Sequence, residues 1–271
     1  MTRPPKRRPT IPRAAVQEGR GGGAVGPAAL AVTVAVAVTG LLAGCASVGP
    51  TDNRVARKLT WVSYLNGDDL RAACAKDETD RYRLVFNADY QKHVRTYDIV
   101  GDRSTGGAMV EARVLEAADL ARIDLDDPAA VARGPVAKAQ LSPRQFALFV
   151  LRLYESGAFS PAPSGVRLPS NGVYWLINGC RRGNWFFNAY PYPSDRFADI
   201  RFDGPLKDLD RSGQGTGVPF PTLPPPQDAP RTLPTGGRLD SAGVVFEVQV
   251  GRDGLVGPTA PFGAWLFAGK E

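Results

Sequence analysis

Histidine and cysteine are scarce in this chain of 271 residues, which contains one His and three Cys. No Cys has a second Cys or a His at the spacing of a metal site, so the sequence predicts no metal. Gly-x-Ser-x-Gly, Ser-x-x-Lys, His-Glu-x-x-His and glycine-rich phosphate-binding loops are absent as well. We therefore assign no catalytic residue and no cofactor, and we expect the lone His93 to be a surface residue.

The excess of positive charge is confined to the start of the chain. The formal net charge is +6, but residues 1–44 hold six basic residues and one acidic residue. The remainder holds 27 basic residues against 26 acidic ones. A body with such balanced charge has no bulk attraction for phosphate. The sequence therefore predicts no nucleic-acid partner.

An uncharged stretch, residues 28–43, follows the basic residues and ends beside a cysteine. A basic segment, an apolar segment and small residues at the cleavage point are typical of a secretory signal peptide. The ending Leu42-Ala43-Gly44-Cys45 resembles the lipobox of bacterial lipoprotein precursors. Two alternatives stay open: an uncleaved membrane anchor, for which the stretch is near the lower length limit, and a soluble secreted protein.

The resemblance implies a lipid-anchored protein of the cell envelope. It implies cleavage between Gly44 and Cys45, a thioether-linked diacylglycerol on Cys45, and acylation of the new amino group, for example with palmitate. Residues 1–44 would be the signal peptide, and residues 45–60 a lipidated tether that holds the folded part off the bilayer. The lipid bilayer is then a partner through acylated Cys45. By the same resemblance, Ala46 favours the outer membrane, at its periplasmic face, if the envelope has two membranes.

The other two cysteines, Cys74 and Cys180, lie in the part of the chain that would be exported. Two thiols in an oxidising compartment favour one disulfide. The alternative is two buried free cysteines.

Alternating apolar residues predict an antiparallel sheet in a globular domain over residues 61–211. The strands are expected at 81–87 and 93–100 as one hairpin, at 173–177 and 184–188 as a second hairpin, and at 108–117 and 197–202. Cys180 is expected in the turn of the second hairpin, so that a disulfide would join that turn to the first part of the domain.

One principal helix is predicted over residues 143–156. Ser142 and Gln145 form a capping-box pattern, and apolar residues recur at the i, i+3, i+4 and i+7 positions. That apolar face must be buried, and a sheet is the expected partner. A short helix over residues 69–75 is expected with Asp68 as its cap. The predicted fold class is therefore α+β, with a mainly antiparallel sheet, this helix packed on it and one disulfide.

The last 60 residues are predicted to contain two further parts. Residues 212–237 are rich in proline and glycine and are expected to be a linker or loop. Residues 238–271 are expected to form a hairpin that joins the main sheet; the alternative is a hairpin that stands on its own.

Aromatic residues are concentrated between residues 185 and 197. One interpretation is a ligand surface for a glycan or peptide, formed by the following residues: Tyr190, Tyr192, Arg181, Arg182 and Arg196. The alternative is a strand that supplies core aromatics, which the consecutive residues Trp185, Phe186 and Phe187 favour.

The sequence favours a non-catalytic binding or structural module that is presented from a membrane, with a glycan or an envelope protein as its partner. One alternative is a hydrolase of cell-wall or glycan substrates that uses a carboxylate pair, which sequence cannot identify because it gives no distances. Another alternative is a subunit of an envelope assembly, for which a large exposed apolar patch would argue.

Overall fold

The computed structural model describes residues 47–51, 54–116, 134–229, 239–240, 243–244 and 246–258. Gly44 and Cys45, and with them the predicted lipidation and cleavage, lie outside the described residues. The described residues all belong to one compact unit. They form a mainly antiparallel α+β fold with one disulfide, which confirms the predicted fold class.

The main sheet has six antiparallel strands. These are β1 (Arg81–Ala88), β2 (His93–Gly101), β3 (Ala108–Glu116), β4 (Val136–Leu141), β6 (Val173–Arg181) and β7 (Asn184–Tyr192). Their order across the sheet is β4-β3-β2-β1-β6-β7, so β4 and β7 are the edge strands. Strand β7 contains Pro191. An edge strand tolerates a proline because one of its sides has no neighbouring strand to which the missing N–H would have to donate. Both predicted hairpins and the strand at 108–117 are confirmed.

In the described ranges, five α-helices accompany the strands. They are α1 (Arg54–Asn66), α2 (Asp68–Cys74), α3 (Pro143–Glu155), α4 (Asp195–Ala198) and α5 (Asp203–Arg211). The predicted principal helix is α3. Its capping box is formed as expected: the Ser142 hydroxyl accepts from the Gln145 N–H, and the Gln145 side chain accepts from the Ser142 N–H. None of the helices in the described ranges is long and apolar enough to cross a membrane.

Both faces of the main sheet are covered, and each covered face has its own apolar core. On one face Tyr82 and Leu84 pack with residues of α3 and α5, among them Phe149 and Leu206. On the other face Val85 packs with α1 and with a small second sheet. This arrangement explains why six consecutive residues of β1 are buried instead of every second one.

The second sheet contains the C-terminal hairpin. Its strands are β5 (Arg167–Pro169), β10 (Glu247–Val250) and β11 (Leu255–Pro258), in the order β11-β10-β5. Two short strands, β8 (Leu239–Asp240) and β9 (Gly243–Val244), form a separate pair. The predicted hairpin is therefore present, but the expectation that it joins the main sheet is wrong, because β10 pairs with β5 instead.

The disulfide between Cys74 and Cys180 is present, with a Cα–Cα distance of 5.4 Å. Cys180 lies in strand β6 and is fully buried, so its predicted place in a turn is wrong. The ladder continues past it to Arg181, and the turn is limited to Arg182 and Gly183.

Three local predictions are corrected. Asp68 is the first residue of α2 rather than its cap; the cap position is held by Gly67 in a left-handed conformation, without a side-chain bond. Residues 197–202 form no strand, because Ser194 caps the short helix α4 and accepts from the Phe197 N–H. The predicted tether is wrong over its described part, because Ser47 is buried against α1 and α1 itself begins at residue 54.

The proline-rich segment is not a linker in its described part, residues 212–229. Phe220 and Leu223 pack against the core of the main sheet. The Tyr192 hydroxyl donates to the carbonyl of Pro224 at 2.6 Å. This part is therefore a loop that runs across the sheet face and covers it.

Candidate functional site

The aromatic residues between 185 and 197 belong mainly to the core. Tyr190 is fully buried, its ring lies 5.4 Å from that of Phe202, and its hydroxyl donates to the Ser156 carbonyl at 2.9 Å. Tyr192 is half-buried beneath the proline-rich loop. The interpretation of these two tyrosines as an exposed ligand surface is therefore wrong, because elements that lie far away in sequence cover both sides of β7.

The three arginines assigned to that surface lie in different surroundings. Arg196 donates to Asn188 Oδ1 at 2.6 Å, and its guanidinium lies 5.3 Å from the Tyr190 ring centre. Arg181 lies over the ring of Phe159 at 4.8 Å. Arg182 is an exposed turn residue. The structure therefore does not bring the predicted set together into one site.

A buried ion-pair cluster is centred on Arg83, on the α1 side of the sheet. Its guanidinium binds Asp69 through two bonds of 2.7 and 2.8 Å and donates to Asp98 Oδ1 at 2.7 Å. The Tyr64 hydroxyl donates to Asp98 Oδ2 at 2.6 Å. Burial raises the pKa of Asp98, although the charge of Arg83 acts in the opposite direction. Burial also raises the pKa of Tyr64 well above its usual value.

A second buried cluster is centred on Arg95, on the opposite face. Arg95 donates to Asp210 Oδ2 of α5 at 2.7 Å and to the carbonyl of Val218 in the proline-rich loop. It also donates to His93 Nε2 at 3.3 Å. His93 is buried, so the expectation of a surface residue is wrong. His93 lies on the face of β2 that α5 and the proline-rich loop cover.

These two clusters are suited to holding the fold together rather than to chemistry. Each arginine is almost completely buried and its charge is balanced by carboxylates within hydrogen-bond distance. Arg83 ties α1 and α2 to the sheet, and Arg95 ties α5 and the proline-rich loop to it. Asp69 and Asp98 share Arg83 as a partner, so they do not form a pair of carboxylates that faces a substrate.

A concave feature of the described residues lies between α3 and α5, above the ends of β3 and β4. This α3–α5 cleft has a volume of about 290 Å³. Its lining is mixed: Gln145, Asp208, Ser212 and Gln214 contribute polar groups, and the apolar residues include Leu141, Leu148, Phe149, Leu206 and Leu209. A cleft of this size and lining is close to the lower limit for small ligands and also fits a few apolar side chains of a partner.

Three of the four polar residues of the α3–α5 cleft have partners in or beside their own helices, and the fourth, Gln214, is exposed. Gln145 is part of the capping box, Asp208 pairs with Arg211, and the Ser212 hydroxyl donates to the Leu209 carbonyl. The lining contains a single carboxylate, Asp208, and no pairing of a nucleophile with a base. The cleft therefore offers a partner apolar contacts together with the polar side chain of Gln214.

The outer face of α3 extends this apolar surface. Leu148, Leu151 and Tyr154 are exposed by 44%, 49% and 69%, whereas Phe149 and Leu153 on the inner face are buried. Sequence reasoning identified the inner face only. A signal for the outer face was available, because Leu148, Leu151 and Tyr154 recur at intervals of three residues outside the predicted inner stripe.

No group of three metal-binding side chains occurs in the part of the chain that the structure describes. No family model, curated protein or solved structure matches this chain.

Proposed function

We propose that this chain is a membrane-anchored lipoprotein of the bacterial cell envelope whose folded body is a non-catalytic, protein-binding module. The observation that carries the anchor is the sequence Leu42-Ala43-Gly44-Cys45 at the end of an uncharged stretch. The disulfide between Cys74 and Cys180 supports it, because structural disulfides persist in exported proteins and are rare in reducing compartments.

Metabolic labelling with palmitate tests the anchor. The wild-type chain is expected to incorporate label and to fractionate with membranes, and Cys45→Ser is expected to abolish incorporation. Val48→Ala, three residues further on, is the matched control and should label like the wild type. Equal labelling of Cys45→Ser and the wild type would contradict the proposal.

The binding role rests on the α3–α5 cleft and the exposed face of α3. A protein is favoured over a glycan as the partner, because glycans are bound by exposed aromatic surfaces and the two tyrosines assigned to such a surface are covered here. Leu148 and Leu151 instead offer exposed aliphatic side chains at and beside the α3–α5 cleft. Exposed apolar residues of this kind are typical of protein interfaces.

Site-specific photo-crosslinking in intact envelopes tests the binding role. A photoreactive residue at Leu151 is expected to give a discrete protein adduct that disappears when Leu148→Asp is added. The same residue at Val256, which is exposed on β11 at the other face, is the control and should give no such adduct. An adduct with sugar, or no adduct at Leu151, would contradict protein binding by this surface.

A further inference from the structure

The folded body starts almost immediately after the predicted lipidation site. Ser47 is only 5% exposed, and its N–H donates to the Ser63 hydroxyl of α1 at 2.9 Å. The Ser47 hydroxyl accepts from the Gly49 N–H at 3.1 Å. Ser63 in turn donates to Asp68 Oδ2 at 2.6 Å. Ser47 is therefore fixed to α1 and to the first residue of α2.

The covalent chain then limits how far Ser47 can lie from the lipid. Cys45 and Ser47 are separated by one residue, and two residue steps span at most about 7 Å. The polar layer of a bilayer on each side is roughly 5–8 Å thick. A Cys45 whose acyl chains enter the hydrocarbon core therefore keeps Ser47 within about one such layer of the core boundary.

We infer that the surface formed by residues 47–51 lies in the headgroup layer of the bilayer, with the Val48 side chain in contact with lipid. The inference rests on the proposed lipidation of Cys45. Val48 is the residue best suited to this contact, because it is apolar, directly follows the fixed Ser47 and is 95% exposed. None of the described residues covers this valine.

The same contact leaves the α3–α5 cleft free for a partner. Residues 47–51 adjoin α1, which packs on one face of the main sheet, and α3 packs on the other face. Layers of secondary structure are spaced by about 10 Å, so the two helix layers lie about 20 Å apart. Lipid contact at Val48 therefore does not compete with binding at the cleft.

Fluorescence quenching in vesicles tests the lipid contact. The full acylated protein is labelled at Val48→Cys or, as the matched control, at Tyr154→Cys on the exposed face of α3. The Cys74–Cys180 disulfide leaves the new thiol as the reactive one. Each protein is reconstituted in phosphatidylcholine vesicles that contain a lipid with a nitroxide on its headgroup. Quenching at position 48 is expected to exceed that at position 154 several-fold.

A spacer variant tests whether the short chain between Cys45 and Ser47 is what holds Val48 at the lipid. Twelve Gly/Ser residues between Ala46 and Ser47 add a flexible reach of about 20 Å, so the difference between the two positions should disappear. The intact mass of each protein separates the two proposals. Unmodified Cys45 would refute the lipoprotein proposal together with this inference. Acylated protein that is quenched equally at both positions would refute the lipid contact alone.

Discussion

The disulfide is expected to contribute a large part of the stability of the folded body. It joins α2 to β6 across a sequence separation of 106 residues. Closing a loop of that length stabilises the folded state by about 4.8 kcal/mol in the chain-entropy model. One kcal/mol shifts the melting temperature of a domain of this size by about 2–4 °C, so its removal should lower Tm by roughly 10–20 °C.

The measurement compares two chains that both start at residue 45 and carry Cys45→Ser. One is otherwise native, and the other also carries Cys74→Ala and Cys180→Ala. Urea unfolding is followed by tryptophan fluorescence. The alanine variant should unfold at lower urea and with a steeper dependence on urea, because its unfolded chain exposes more surface without the cross-link. Added reductant should destabilise the native chain and leave the variant unchanged.

The loss of side-chain packing in the alanine variant is expected to lower the free energy of unfolding much less than the loss of the cross-link. Replacing the buried Cys180 by alanine removes one sulfur atom, which costs about 1 kcal/mol. A loss of only that size, with an unchanged dependence on urea, would refute the reasoning from loop closure.

Three further substitutions test the interactions that hold the fold. Arg83→Met should cost about 3–5 kcal/mol at pH 7 because it leaves buried carboxylates without their cation. Its cost should be smaller at pH 4. The pKa of Asp98 in the folded protein is raised above its ordinary value of 3.8, so the free energy of unfolding falls as the pH rises through that pKa. Loss of Arg83 removes a nearby positive charge and raises the pKa of Asp98 further, so that Asp98 is more fully protonated at pH 4 in the variant. A cost in urea unfolding that is independent of pH would contradict this role of Asp98. Ser142→Ala should lose about 1 kcal/mol in urea unfolding by removing the cap of α3, whereas Ser142→Asp should retain most of it. Tyr190→Phe should cost about 1–2 kcal/mol, because the Ser156 carbonyl loses its buried donor; an unchanged melting temperature would contradict this.

Local signals in the sequence predicted much of the main sheet and its principal helix. The strands of both hairpins have alternating apolar residues, and α3 has a cap and a helical apolar period, so short stretches of sequence specify them. The disulfide followed from the number of cysteines and the predicted compartment. These features need no knowledge of distant contacts.

Features that depend on distant contacts were not predicted. The strand pattern of β7 does not show that residues 212–229 and helix α3 cover Tyr190 and Tyr192. Likewise, β10 contains no signal for pairing with the three-residue strand β5 instead of the main sheet. The burial of Arg83 and Arg95 was missed for the same reason, because a charged residue in a strand is normally solvated unless a partner from elsewhere reaches it.

Pro191 in the edge strand β7 limits how copies of this protein can associate. Growth of a continuous intermolecular sheet requires a compatible backbone edge on each side of every molecule. At β7 that row of donors is interrupted by the proline, whereas β4 on the opposite edge contains none. Edge-to-edge association of main sheets through β4 would therefore join two molecules, and the proline at the far edge of each would disfavour the addition of a third through β7.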